Sequence, residues 1–128
     1  MDKKYTVLII DDDKFLLDMY RKKFEREGAI VDVAVGSTEA LVKLRGDAKP
    51  DILILDIIMP IMDGIELLEI IRKEKLVPNA VVIMLTNESN PTKIEKAKTL
   101  GINGYIIKAT RIPSEVVEEA LKIANSKN

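Results

Sequence analysis

Five stretches of this chain are predominantly apolar, and each gives way to a segment with helical period. Tyr5–Ile10 (Tyr-Thr-Val-Leu-Ile-Ile) and Ile52–Leu55 (Ile-Leu-Ile-Leu) lack the alternation of a half-buried strand, so both read as strands covered on both faces. Ala80–Leu85 is apolar throughout, and Gly104–Ile107 is a shorter run of the same kind. Ile30–Val35 is interrupted by Asp32 and suits a sheet edge better than its centre. After the first strand the period becomes helical: Leu16, Met19, Tyr20 and Phe24 share one stripe, opposite Asp18, Arg21, Lys22 and Glu25. Asp13 is a natural N-cap for that helix and Gly28 a natural terminator. Ser37 is placed to cap a second helix reaching about Asp47, with Ala40, Leu41 and Leu44 inward. Asp63 and Glu66 form a capping-box pattern that predicts a third helix from about Gly64 to Lys75. Asn90-Pro91 opens a fourth helix, closed by Gly101. A fifth begins near Pro113-Ser114, with Val116, Val117, Ala120, Leu121 and Ala124 inward.

Strand and helix thus alternate five times without a linker, a low-complexity tract or a repeat. Short right-handed connections turn that alternation into an α/β domain, a doubly wound five-stranded parallel sheet with helices on both faces. The strands end in related ways. Asp11 and Asp12, Asp56, Thr86 and Lys108 each follow the last apolar residue of a different strand. Parallel strands gather those residues on one edge of the sheet, where open α/β folds bind ligands, and the flavodoxin-like order 2-1-3-4-5 makes neighbours of the strands that carry Asp12 and Asp56. Pro60, four residues beyond Asp56, keeps the chain from running straight on into helix.

Composition narrows the chemistry. The 128 residues fit one domain, taken here as 1–128 with a linker stub from about 125, and 47% apolar with 32% charged residues describes a globular protein. A net charge of -1 provides no field for nucleic acid or an anionic membrane, so direct nucleic-acid binding and membrane association are not expected. Met1-Asp2-Lys3-Lys4 has no signal-peptide h-region, and the expected location is cytoplasmic. With no cysteine and no histidine, thiolate and imidazole metal sites, cysteine nucleophiles and Ser-His-Asp triads are excluded. A metal here must be held by oxygen, which points to a hard cation such as Mg²⁺. Converging carboxylates repel unless a cation intervenes. A cation, an ammonium (Lys108) and a hydroxyl (Thr86) around one carboxylate form a receptor for a tetrahedral dianion, with Asp56 as in-line nucleophile in phosphoryl transfer.

These motifs resemble those of the response-regulator receiver domain, the chemotaxis-receiver-like phosphoacceptor module of two-component signalling. The resemblance covers essentially the whole chain and rests on Val-Leu-Ile-Ile-Asp11-Asp12, Leu-Ile-Leu-Asp56-Ile-Ile-Met-Pro60-Ile-Met-Asp63-Gly64, Val-Ile-Met-Leu-Thr86 and Gly104-Tyr105-Ile-Ile-Lys108. It implies that Asp56 is phosphorylated and that Asp11, Asp12, Asp56 and the Ile58 backbone carbonyl hold Mg²⁺, or Mn²⁺ in its place. It further implies that Thr86 and Lys108 contact the phosphoryl group and that Tyr105 is the switch aromatic. A partner histidine kinase or phosphotransfer protein would supply the phosphoryl group. A downstream protein target, or an output domain, would read the face formed by the fourth helix, fifth strand and fifth helix. Catalysis by the chain itself would be limited to its own phosphorylation and dephosphorylation. Asp13 reads as a helix cap rather than a further ligand. Lys93, Lys96 and Lys98 read as a solvated helix face.

Two positions depart from the family pattern. Ala109 stands where proline in a cis peptide usually follows the lysine, and a cis bond before a residue other than proline costs about 2.5–4 kcal/mol, so a trans Lys108-Ala109 bond is expected. Asn87 is larger than the usual small residue after the threonine. Ile58 and Glu88 occupy positions that influence loss of the phosphoryl group in the family, and the branched Ile58 implies a long-lived phospho-form. A phosphatase of the haloacid-dehalogenase kind would use Asp11 and Asp13 but offers no role for Asp56. A flavodoxin-like cofactor module is disfavoured by three acids in its first loop. A degenerate receiver acting as a constitutive protein-interaction domain is the remaining alternative.

Overall fold

Strands apolar on both sides need cover on both sides, and the chain supplies it with helices. The computed structural model describes residues 4–127. In chain order it contains β1 (Thr6–Asp11), α1 (Lys14–Arg26), β2 (Ile30–Val35), α2 (Ser37–Arg45), β3 (Ile52–Leu55), α3 (Gly64–Lys73), β4 (Val81–Thr86), α4 (Pro91–Thr99), β5 (Gly104–Ile107) and α5 (Pro113–Lys127), with a 3₁₀ turn at Lys108–Thr110. The sheet order is β2-β1-β3-β4-β5 and every neighbouring pair is parallel. Alternation within each strand feeds two cores. Val7, Ile9, Ile52, Ile54, Ile83 and Leu85 pack with Leu17, Tyr20 and Phe24 of α1 and Val116, Val117, Ala120 and Ala124 of α5. Leu8, Ile10, Leu53, Leu55, Val82 and Met84 pack beneath α2, α3 and Ala97 of α4. β2 is the exposed edge that Asp32 foretold. No helix among the described residues is long and apolar enough to cross a membrane.

Several local expectations shift. The buried stripe of α1 is Leu17, Tyr20 and Phe24, while Leu16 and Met19 are only partly buried against the same core. Leu17 lies three residues before Tyr20 and seven before Phe24, so it shares their face more closely than Leu16 does. Ser37 does not cap α2. Gly36, at φ 86°, takes that place, and Ser37 is buried in the first turn, where its hydroxyl donates to the Met62 carbonyl at 2.8 Å. The third helix ends at Lys73 rather than Lys75, because Lys75 takes a positive φ of 57° that no α-helix continues through. Tyr5 lies outside β1, yet its ring is buried and its hydroxyl donates to Asn125 at 2.6 Å. Residues 125–127 belong to α5, while Met1, Asp2, Lys3 and Asn128 lie outside the described residues.

The segment after β3 is tied down at both ends. Ile57 and Met59 are buried in the second core, whereas Ile61 is fully exposed at φ 70°. The Asp63/Glu66 capping box is complete: Asp63 Oδ1 accepts the Glu66 N–H at 2.9 Å and the Asp63 N–H donates to Glu66 Oε1 at 3.1 Å. The Gly64 N–H donates to the Ile57 carbonyl at 2.9 Å. That approach leaves no room for a side chain, since a Cβ on Gly64 would lie 2.1 Å from the Asp56 carbonyl oxygen and 2.8 Å from Ile57 Cα. The obstructing atoms are backbone and cannot rotate away. Gly64→Ala is therefore expected to lower stability by at least ~1–3 kcal/mol, the usual cost of overpacking. Urea unfolding of the two proteins checks this, and an unchanged midpoint would contradict the close contact.

Candidate functional site

The strand ends meet as the sheet order requires. Asp11 closes β1, and the Asp56 N–H donates to the Ile10 carbonyl at 3.1 Å, which brings the first residue after β3 alongside β1. Thr86 closes β4 opposite Ile107 of β5, and Lys108 follows. Asp11, Asp56 and Thr86 are buried, Asp12 is exposed and Lys108 is half-buried.

One ammonium joins two of the carboxylates. Lys108 Nζ donates to Asp11 Oδ2 at 2.6 Å and to Asp56 Oδ2 at 2.8 Å. The other oxygen of each acid is held by backbone: Asp11 Oδ1 accepts the Asp13 N–H at 3.0 Å and Asp56 Oδ1 accepts the Ile58 N–H at 3.0 Å. Burial pushes the Asp11 carboxyl above its ordinary range, and this outweighs the lowering by Lys108 and by the Asp13 amide. Burial alone pulls the Lys108 ammonium down, but its bonds to Asp11 and Asp56 together push it up. The causes differ: burial dominates at Asp11, whereas at Lys108 the two carboxylates together outweigh burial.

Asp12 adds a third acid. Asp11, Asp12 and Asp56 each offer a carboxylate oxygen, all within 4.8 Å of one another. An all-oxygen donor set with negative charge in excess of Lys108 fits a hard metal cation, and the exposure of Asp12 leaves that side open. Asp13 does not join them. Its Oδ1 accepts the N–H groups of Phe15 and Leu16 at 2.9 and 3.2 Å, which caps α1 as its position predicts.

The loop after β4 holds the rest of the constellation. Thr86 Oγ1 accepts the Ile57 N–H at 3.4 Å and the Glu88 N–H at 3.2 Å. The Tyr105 hydroxyl donates to the Glu88 carbonyl at 2.6 Å. Burial first, then the negative charges of Glu88 and Asp56, push the Tyr105 phenol up to about 12. The Glu88 carboxylate accepts the N–H groups of Ser89 and Asn90 at 3.1 and 3.2 Å. Lys93 lies 3.6 Å from Asp63 and 3.5 Å from Glu88 as half-buried ion pairs, whereas Lys96 lies 3.4 Å from Glu69 as an exposed one. The described backbone contains no cis peptide, so the Lys108-Ala109 bond is trans as expected. Two features escaped sequence reasoning: the clamping of Lys108 by both acids, and a bond from the Ala109 N–H to Asn87 Oδ1 at 2.8 Å. A groove of about 740 Å³ between α1 and α5, lined by Lys23, Arg26, Val117 and Leu121 among others, contains none of the strand-end residues.

Comparison with known proteins agrees with this geometry. Residues 7–120 match the family model of the response regulator receiver domain. The chain is 37% identical over 108 residues to the chemotaxis protein CheY of Halobacterium salinarum, covering 84% of this chain and 88% of that protein. It is 31% identical over 114 residues to the DNA-binding response regulator MtrA of Mycobacterium tuberculosis, of whose length it spans 48%. Among solved structures, the CheY-like receiver domain protein of Methanospirillum hungatei superposes with a TM-score of 0.84 at 29% identity, covering 98% of this chain and all of that one. Vibrio cholerae CheY4 gives 0.84 at 27% identity, covering 94% of this chain and 99% of that one. Strand order, strand-end chemistry and these matches agree, and the chain belongs to the response regulator receiver domain family.

Proposed function

We propose that this receiver domain is a phosphoacceptor switch whose phosphorylated residue is Asp56. The observation that carries the reading is the placement of Asp56: a buried carboxylate at a strand end, with Lys108 Nζ 2.8 Å away and Asp11 and Asp12 within reach. An Asp56 oxygen attacks the phosphorus of the donor in line, and the bond from phosphorus to the donor's leaving group breaks. Lys108 then pairs with a phosphoryl oxygen, and the Thr86 hydroxyl, whose oxygen already accepts two backbone N–H groups, turns its proton to another. Asp11, Asp12, Asp56 and the Ile58 carbonyl would hold Mg²⁺, with Mn²⁺ as a substitute. When bound, the cation neutralises phosphoryl oxygens and offsets the repulsion among the acids.

A histidine kinase or phosphotransfer protein supplies the phosphoryl group in trans, since the chain has no histidine of its own. The new charge near Thr86 draws the loop 86–88 inward, and Tyr105, anchored on the Glu88 carbonyl, follows it. That reshapes the α4–β5–α5 face for a downstream protein target or an output domain. The relatives span both arrangements, since the archaeal one is close to this chain in length and the mycobacterial one is about twice as long. We place the domain in the cytoplasm, with no direct role in binding nucleic acid. The degenerate alternative gains no support, because Asp11, Asp12, Asp56, Thr86 and Lys108 all converge.

The first test is labelling by acetyl phosphate in the presence of Mg²⁺. Wild type is expected to gain a single acyl phosphate, detected by mass, and Asp56→Asn none; labelling that survives this substitution would refute the assignment. Ile58 is 53% exposed and its backbone N–H binds Asp56 Oδ1, so we propose that its branched side chain hinders the water that would release the phosphoryl group. Ile58→Ala is expected to shorten the phospho-form's half-life several-fold, and an unchanged decay rate would remove Ile58 from that role. Tyr105 provides a test by pH. A group whose folded pKa is raised contributes stability that is intact below its unfolded value, near 10, and is lost as pH climbs through the folded value of about 12. Tyr105→Phe should delete a phenolate absorbance step near pH 12 and flatten the loss of stability across that window. Loss of a step near pH 10 instead would place the phenol in open solvent.

A further inference from the structure

Positions 87 and 109 are the two departures from the family pattern, and the fold brings them into contact. Asn87 Oδ1 accepts the Ala109 N–H at 2.8 Å, across 22 positions in sequence. Proline has no N–H, so this bond is available only because residue 109 is not proline. Ala109 is the middle residue of the 3₁₀ turn Lys108–Thr110, which the Arg111 N–H closes onto the Lys108 carbonyl at 3.3 Å. The direction of that turn sets where the Lys108 side chain points, and its Nζ must reach Asp11 and Asp56 together, at 2.6 and 2.8 Å. Asn87 is itself fixed by its neighbours: Thr86 is buried with Oγ1 on the Ile57 and Glu88 amides, and Glu88 holds Tyr105.

We propose that Asn87 is a positioning residue for Lys108: through the Ala109 N–H its side-chain oxygen fixes the turn after β5, the place where the family pattern has proline. The two departures are then one compensating pair. The bond also ties the loop that moves with Thr86 to the turn that aims the ammonium, so placement of Lys108 depends on the state of residues 86–88. The inference rests on Asp56 being the phosphoacceptor.

The test uses the whole chain with Asn87→Ala, Asn87→Asp, Lys108→Ala and the Asn87→Ala/Lys108→Ala double variant. Amide hydrogen exchange at Ala109, followed by NMR, reads the bond directly. Protection is expected in wild type and in Asn87→Asp, which keeps the acceptor oxygen, and is expected to be lost in Asn87→Ala. The initial rate of labelling by acetyl phosphate with Mg²⁺ reads the consequence. Asn87→Ala should slow it about three- to tenfold, the range of one hydrogen bond, and should cause no further loss once Lys108 is alanine. Equal Ala109 exchange in wild type and Asn87→Ala overturns the proposal. So does an Asn87→Ala effect that persists at full size in the Lys108→Ala background, because Asn87 would then act on the phosphoryl group without Lys108. If wild type takes no label at all, the phosphoacceptor reading falls instead, and the exchange data alone decide whether Asn87 holds the turn.

Discussion

A single ammonium shared by two buried carboxylates is the constraint on which the edge of this sheet depends. Lys108 reaches Asp11 at 2.6 Å and Asp56 at 2.8 Å from a strand two places away from β3. Taking a carboxylate out of water costs several kcal/mol, and the shared lysine offsets that cost for Asp11 only in part. The upward push on the Asp11 carboxyl is the visible remainder. The fold therefore keeps a site that works against its own stability, the ordinary condition of functional sites. The same excess of acid over cation suits the cluster of Asp11, Asp12 and Asp56 to a metal ion.

Such a concentration of charge is tolerable only if the backbone beneath it is rigid. Here the rigidity comes from apolar groups. β1, β3 and β4 are buried along almost their whole length, and Ile57 and Met59 carry that burial past the strand end. Gly64 then lets α3 start in van der Waals contact with the Asp56 carbonyl, with the capping box fixing its first turn. The carboxylate's position is thus over-determined by packing on one side and by the Ile58 amide on the other. Helices on both faces leave the strand ends as the place where polar groups can gather without disturbing either core.

Most of this was legible in the sequence because it is written in local signals. Unbroken aliphatic runs announced the central strands, Asp32 announced the edge, and the polar residue after each run announced the site. Asp13 and Asn90 were legible as caps for the same reason, since a cap is decided within three residues. The misreadings were also local. Ser37 has the chemistry of a cap, but Gly36 reaches the positive φ that the chain needs there, and the hydroxyl goes to Met62, 25 positions away. What could not be read was any contact between loops. Asn87 and Ala109 each stood out as an oddity, and only the parallel adjacency of β4 and β5 makes them partners. Lys108 was legible as a charge near Asp56, but its equal hold on Asp11 depends on side-chain reach rather than on pattern.

Three consecutive residues at the end of β4 and just beyond it hold three different parts of the molecule. Thr86 holds the Ile57 amide, Asn87 holds the turn after β5, and the Glu88 carbonyl holds the Tyr105 hydroxyl. Each bond is modest, worth about 0.5–1.5 kcal/mol net, so no one of them locks the loop. Together they make its displacement collective, because moving residue 86 disturbs its neighbours' partners as well. Phosphorylation would replace the single charge of the Asp56 carboxylate by the roughly 1.5–2 charges of a phosphoryl group, in a site already short of positive charge. That is ample to outweigh bonds of this size. In the proposed cycle the charge at Asp56 therefore does not need a long path to the surface: the segment it attracts already holds Tyr105, and Tyr105 lies on the strand between α4 and α5 in sequence.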